Sequence, residues 1–206
     1  MAQTNQKEKI ISFSMKKFLA EGFYKISMDE IAAELRMSKK TIYKNFPQKL
    51  LLVEAIMNRV IDGIRVNIDQ IVQNEENAVR KLIALSNLIA EMTMKMSENW
   101  LNDIRLHGSE LWTLAENFRQ DKIYETFSKI LTQGKKESLV IDKPNIILIT
   151  IIYSAIKGIL NPDFLINNNY SATVAANLTL DTLFLGILSK QGRKIYKQYK
   201  REESDD

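Results

Sequence analysis

At 206 residues, the chain has room for one large domain or for a small domain joined to a larger one. Hydrophobic residues make up 45%, enough for a core, and with only 7 Gly and 3 Pro little interrupts long helices. The absence of cysteine excludes disulfides and thiolate metal sites. The net charge of +4 is unevenly spread: residues 1–50 hold 10 Lys/Arg against 5 Asp/Glu, so the whole positive excess lies in the first quarter. Such a patch can neutralise phosphates or be an ordinary solvated surface.

The first residues contain no apolar core of a signal peptide. The most apolar stretch, Ile146 to Ile156, is about half of the roughly 20 residues that span a bilayer. Both point to a soluble cytoplasmic protein. From Ile11, apolar residues recur at Met15, Phe18 and Leu19, the spacing of one helix face, and Gly22 suits the C-terminal cap. In Ile26-Ser-Met-Asp-Glu-Ile31, Ser27 and Glu30 form a capping box, while Ile26 and Ile31 occupy the positions of a hydrophobic staple. A second helix therefore starts near Met28, with Ile31, Ala32 and Leu35 inward. Ser38, flanked by Met37 and Ile42, caps a short third helix over Lys39 to Asn45 or Phe46, which Pro47 ends. A fourth runs from about Gln48 towards Val72.

Further on, segments near 76–97, 98–115 and 116–136 read as helical, with weak boundaries. Ile146 to Ile152 is rich in β-branched residues and could form a buried strand, but the apolar run continues to Leu160, which favours helix. A last apolar segment covers Ala172 to Leu188, and the tail from Lys190, basic and then acidic, is expected to fray.

Two short capped helices joined by a tight turn have the layout of a helix-turn-helix. On the third helix, Ile42 and Phe46 point inward, Lys40 and Lys44 nearly opposite, and Thr41 and Tyr43 to the flanks, with Asn45 near the end. Such a face can enter a major groove, although a basic face on a short helix can equally be plain solvated surface. The stretch Phe18 to Leu52 resembles the DNA-binding domain of the tetracycline-repressor (TetR) family. The residues that carry the resemblance are Phe18, Gly22-Phe23, Ser27-Met-Asp-Glu-Ile-Ala32, Met37-Ser38, Thr41-Ile-Tyr43, Asn45-Phe46-Pro47 and Lys49. It covers about the first quarter of the chain; the rest is similar only in length and helical character.

The resemblance implies that Lys39, Lys40 and Lys44 reach the major groove or its rim. It implies phosphate contacts for Thr41, Tyr43 and Lys49, and a capping role for Ser27 that leaves a DNA contact open. Many family members carry Gly where this chain has Arg36. A left-handed Arg36 costs roughly 1–2 kcal/mol and puts one more cation at the turn.

Elsewhere the sequence offers no catalytic chemistry. His107 is the lone histidine and has no metal-ligand motif around it, and neither GxSxG nor Walker A occurs. No cofactor or metal is expected. Met92, Met94, Met96, Trp100 and Trp112 can fill a core or line a cavity.

The expectation is an all-α protein. Residues 1–50 form a helix-turn-helix DNA-binding domain, and residues 51–206 a helical domain for ligand binding and dimerisation. By resemblance it is a repressor on double-stranded DNA, released from a pseudo-palindromic operator by a small apolar or amphipathic effector. Two rivals stay open: a DNA-binding dimer with no ligand, and a helical carrier or enzyme with a vestigial DNA-binding fold. One short recognition helix covers too little DNA to specify a site, which calls for a homodimer. Its interface is expected from Ile147, Ile151, Ala155 and Gly158, and from Val174, Leu178, Leu185 and Leu188, with Asp181 a polar interruption.

Overall fold

The computed structural model describes residues 2–205, and the side chains of 5–202. Eleven helices are described: α1 (Ala2–Glu21), α2 (Met28–Leu35), α3 (Lys39–Asn45), α4 (Lys49–Gln73), α5 (Ala78–Met94), α6 (Glu98–His107), α7 (Ser109–Lys136), α8 (Asn145–Ile159), α9 (Pro162–Asn167), α10 (Ala172–Ile187) and α11 (Lys190–Asp205). Among the described residues, the one extended pairing is an isolated antiparallel bridge between Val140 and Leu188. The all-α expectation holds, and Ile146 to Ile152 lies in a helix.

The chain divides into two compact units. The first comprises residues 1–63 and 95–116, the second residues 64–94 and 117–206. In the first, α1 packs on α2, α3 and α6. Its core joins Phe18, Ile31, Ile42, Leu52 and Ile56 to Trp100, Ile104 and Leu111. The unit that holds the helix-turn-helix therefore extends beyond residues 1–50, because an apolar stripe of α6 completes its core. Both tryptophans belong to it. Trp100 is buried edge-on against Phe23, with ring centroids 5.7 Å apart, and Trp112 packs at the margin.

In the second unit, α10 packs on α5 and α8, and α11 packs on α5. The core is built from Leu82, Ile130, Leu131, Ile152, Phe184 and Tyr196 among others. Two sequence expectations change, one in each unit. The segment near 98–115 breaks at Gly108, whose backbone leaves helical geometry at the end of α6. The tail from Lys190 is helical rather than frayed. Ile195, Tyr196 and Tyr199 form one apolar stripe, and buried Tyr196 donates its hydroxyl to Asp181 at 2.9 Å.

Candidate nucleic-acid interface

The helix-turn-helix is set by local chemistry that the sequence announces. Ser27, extended at φ −88°, accepts from the Glu30 amide at 3.1 Å, while the Glu30 carboxylate accepts from the Ser27 amide at 2.9 Å. The Ser27 backbone bond, with its side-chain bond, holds the Glu30 carboxyl below its ordinary range. α2 ends at Arg36, which is left-handed at φ 54°, ψ 39° and bonds back to Ala32 and Ala33. Ser38 then caps α3 by accepting from the Thr41 amide at 3.1 Å.

Ile42 on α3 and Phe46, its extended C-cap residue, are buried and act as the anchor. Lys40, Tyr43 and Lys44 are exposed on the opposite side, and neither lysine has an ion-pair partner among the described residues. Ser27 and Arg36 are exposed as well. The remaining candidates are engaged in the protein itself. Lys39 pairs with Asp29 at 2.6 Å, and this hydrogen bond raises its pKa. The Thr41 hydroxyl lies 2.8 Å from that of Ser38, and the Asn45 amide donates to the Thr41 carbonyl at 2.8 Å.

Lys49 differs most from its expected role. Half-buried at the start of α4, its ammonium donates to the carbonyls of Tyr24 at 2.6 Å and Ile26 at 3.0 Å. It also lies 5.8 Å from the Tyr24 ring centroid. Burial pushes its pKa down. Two of its three protons thus brace the loop between α1 and α2.

The same loop is held from the other side by residues that sequence reading missed. Asp103 of α6 accepts from the Phe23 amide at 2.6 Å and the Tyr24 amide at 2.7 Å. Gly22 makes this approach possible. Its φ is +84°, and a Cβ there would sit 2.5 Å from the Asp103 carboxylate oxygen. His107 stacks on Tyr24 with centroids 3.8 Å apart and rings 11° from parallel. The aspartate carried no signal, since it lies about 80 residues from its partners.

This geometry defines a helix-turn-helix whose second helix exposes polar and cationic side chains. Residues 10–56 match the family model described as bacterial regulatory proteins, tetR family. Over those residues the chain is a DNA-binding domain of the tetR type, and the family so described consists of DNA-binding transcriptional regulators. Among curated relatives, an uncharacterized HTH-type transcriptional regulator, YvaF of Bacillus subtilis (strain 168), is 20% identical over 85% of this chain and 96% of its own. Among solved structures, a transcriptional regulator from Cytophaga hutchinsonii ATCC 33406 superposes with a TM-score of 0.69 at 19% identity. The match covers 88% of this chain and 98% of that one. A putative transcriptional regulator from Saccharomonospora viridis, solved in complex with choline, gives a TM-score of 0.70 at 16% identity over 91% of this chain and 100% of its own.

Proposed function

We propose that the chain is a repressor that binds a pseudo-palindromic operator as a homodimer and is released by a small amphipathic effector. The observation that carries the DNA reading is the α3 face. Lys40, Tyr43 and Lys44 stand exposed on a helix anchored by buried Ile42 and Phe46. Lys40 and Lys44 read base edges or neighbouring phosphates, and Tyr43 donates to a phosphate. Arg36 and Ser27 flank this face, and Lys39, Thr41, Asn45 and Lys49 contribute secondarily because their polar groups are already engaged.

Dimerisation is supported by an apolar surface that the second unit leaves bare. Ile146, Ile147 and Ile151 on α8 and Val174 and Leu178 on α10 are exposed, Ile151 at 51% and Leu178 at 58%. Around Gly158 an added Cβ would meet nothing within 4 Å, so a partner helix has room to approach. Leu188, expected on this face, is instead buried in the core, because α10 ends at Ile187 and the chain turns to bridge Val140. Asp181 accepts from Tyr196 and serves its own subunit. Two helices from each chain make a four-helix bundle with the same patch on both sides.

An effector is supported by two hydroxyls, Ser86 on α5 and Thr126 on α7, both buried in the second unit without a hydrogen-bond partner among the described residues. Such groups can fix the orientation of an amphipathic molecule in an otherwise apolar site. The choline held by the structural neighbour is a ligand of that kind. Trp100 and Trp112 take no part, since both pack in the first unit.

Selection of fragments from the source genome by the purified chain tests the whole reading. A pseudo-palindrome bound at nanomolar concentration, with affinity falling steeply as salt rises, is the expected result. Binding without sequence preference overturns it. A compound that releases the selected operator and stabilises the wild type, but stabilises Ser86→Val/Thr126→Val less, identifies the effector.

A further inference from the structure

α11 carries a second concentration of positive charge that the helix-turn-helix does not explain. Residues 190–201 contain six Lys/Arg and no carboxylate, and acidic residues resume only at Glu202. Lys190, Lys194, Lys197 and Arg201 follow the i, i+4, i+7, i+11 spacing and so form a single stripe, about 16 Å long at the helical rise. All four are exposed, with no ion-pair partner among the described residues. Lys194, Lys197, Gln198, Arg201 and Glu202 line a groove of about 460 Å³.

The helix beneath the stripe is firmly seated. The Ser189 hydroxyl accepts from the Gly192 amide at 3.1 Å, and a Cβ at Gly192 would come within 2.2 Å of the Leu139 carbonyl oxygen. Arg193 donates from Nε to the Leu188 carbonyl at 2.9 Å. The Tyr196 ring stands edge-on to Phe184 at 6.3 Å, and the Arg80 guanidinium lies 4.3 Å over the Tyr199 ring. The apolar side of α11 is therefore spent inside its own unit.

That decides what the outer side can bind. Attachment to a membrane as an amphipathic helix needs an apolar face to bury, and α11 has none free. A stable protein interface is centred on aromatic or aliphatic anchors, whereas this stripe and its groove present Lys, Arg, Gln and one Glu. A phosphate backbone asks for cations alone, at regular intervals, on flexible stems.

We infer that the Lys190/Lys194/Lys197/Arg201 stripe of α11 binds the phosphate backbone of duplex DNA, without sequence preference and independently of the recognition helix. The test uses the full chain with its recognition face removed by Lys40→Ala, Tyr43→Ala and Lys44→Ala, titrated against a short duplex of arbitrary sequence at several salt concentrations. This variant is expected to keep salt-dependent binding. Adding Lys190→Gln, Lys194→Gln, Lys197→Gln and Arg201→Gln is expected to lower the magnitude of the slope of log affinity against log salt by about 3.6, at about 0.9 per phosphate, and to weaken binding at least roughly tenfold at low salt. The charge-keeping set Lys190→Arg, Lys194→Arg and Lys197→Arg is expected to bind as its parent does. No DNA binding by the first variant overturns the inference. So does an unchanged slope with the Gln set, or equal loss with the Arg set. On an intact recognition helix, the Gln set is expected to weaken binding to random DNA while the operator is still selected, so failure here is distinct from failure of the operator reading.

Discussion

Two surfaces of this chain face solvent although its own core does not need them, and they differ in chemistry. The α3 face in the first unit offers Lys40, Tyr43 and Lys44; the α8 and α10 faces in the second offer Ile147, Ile151, Val174 and Leu178. Ammonium groups rest in water without penalty, so the first surface is stable bare. Rows of aliphatic side chains cost about 25 cal/mol for every Å² left wet, so the second favours being covered. Under the proposed function, the reading surface can be engaged transiently, while the assembly surface is expected to be occupied most of the time.

The sharpest way to break this contrast is a charge on the assembly face. Ile151→Asp leaves a carboxylate on a side chain that is 51% exposed in the single chain, so the fold of one subunit is expected to survive. In a symmetric dimer, two such carboxylates are buried without partners, at a cost of several kcal/mol. Sedimentation at micromolar concentration is expected to give a monomer with unchanged helical content. A dimer that persists, or a wild type that is itself monomeric, breaks the contrast.

The complementary change strips the reading face. Lys40→Ala, Tyr43→Ala and Lys44→Ala together are expected to weaken operator binding by roughly 3 kcal/mol, more than a hundredfold, since each specific contact is worth about 1–3 kcal/mol. Thermal stability is expected to change little, because none of the three is buried. Fluorescence anisotropy on the operator and a melting curve measure the two effects, and a large loss of stability would show that the face belongs to the core after all.

A third change probes the support beneath the reading face. Gly22→Ala meets both a positive φ of 84° and the Asp103 oxygen at 2.5 Å, and is expected to cost about 2 kcal/mol of stability in urea unfolding. Asp103→Ala removes that obstacle, along with its bonds to the Phe23 and Tyr24 amides. In the double variant the two costs are therefore expected to sum to less than the separate losses. Strict additivity would mean that Asp103 does not constrain residue 22.

What could be read in advance follows from range. Ser27 with Glu30, and Ser38 with Thr41, act over three residues, so capping chemistry named both helices and the turn between them. Ile42 and Phe46 were legible from spacing alone. Asp103 was not, because its partners Phe23 and Tyr24 become neighbours only when α6 folds against α1. Lys39 and Lys49 looked like Lys40 and Lys44 in sequence. Only tertiary structure separates the pair engaged by Asp29 and by backbone carbonyls from the pair without an ion-pair partner among the described residues. The same holds for α11, whose basic residues suggested a frayed tail until Tyr196 found Asp181.

The smallest expected effect concerns the turn itself. Arg36 is left-handed at φ 54°, ψ 39°, a conformation that an L side chain pays roughly 1–2 kcal/mol to adopt and glycine adopts freely. Against that gain, glycine loses more backbone entropy on folding, by about 0.5–1 kcal/mol. Arg36→Gly is therefore expected to stabilise the first unit by no more than about 1.5 kcal/mol. Arg36 is exposed and makes its cap through backbone bonds to Ala32 and Ala33, which glycine retains. If the arginine is kept for its charge beside the recognition helix, the same substitution lowers the salt slope of operator binding by about 1, the signature of a single lost phosphate contact. Higher stability with a shallower slope would mean that this turn gives up some stability for grip on DNA. Higher stability with the slope unchanged would leave Arg36 as a strained residue with no part in binding.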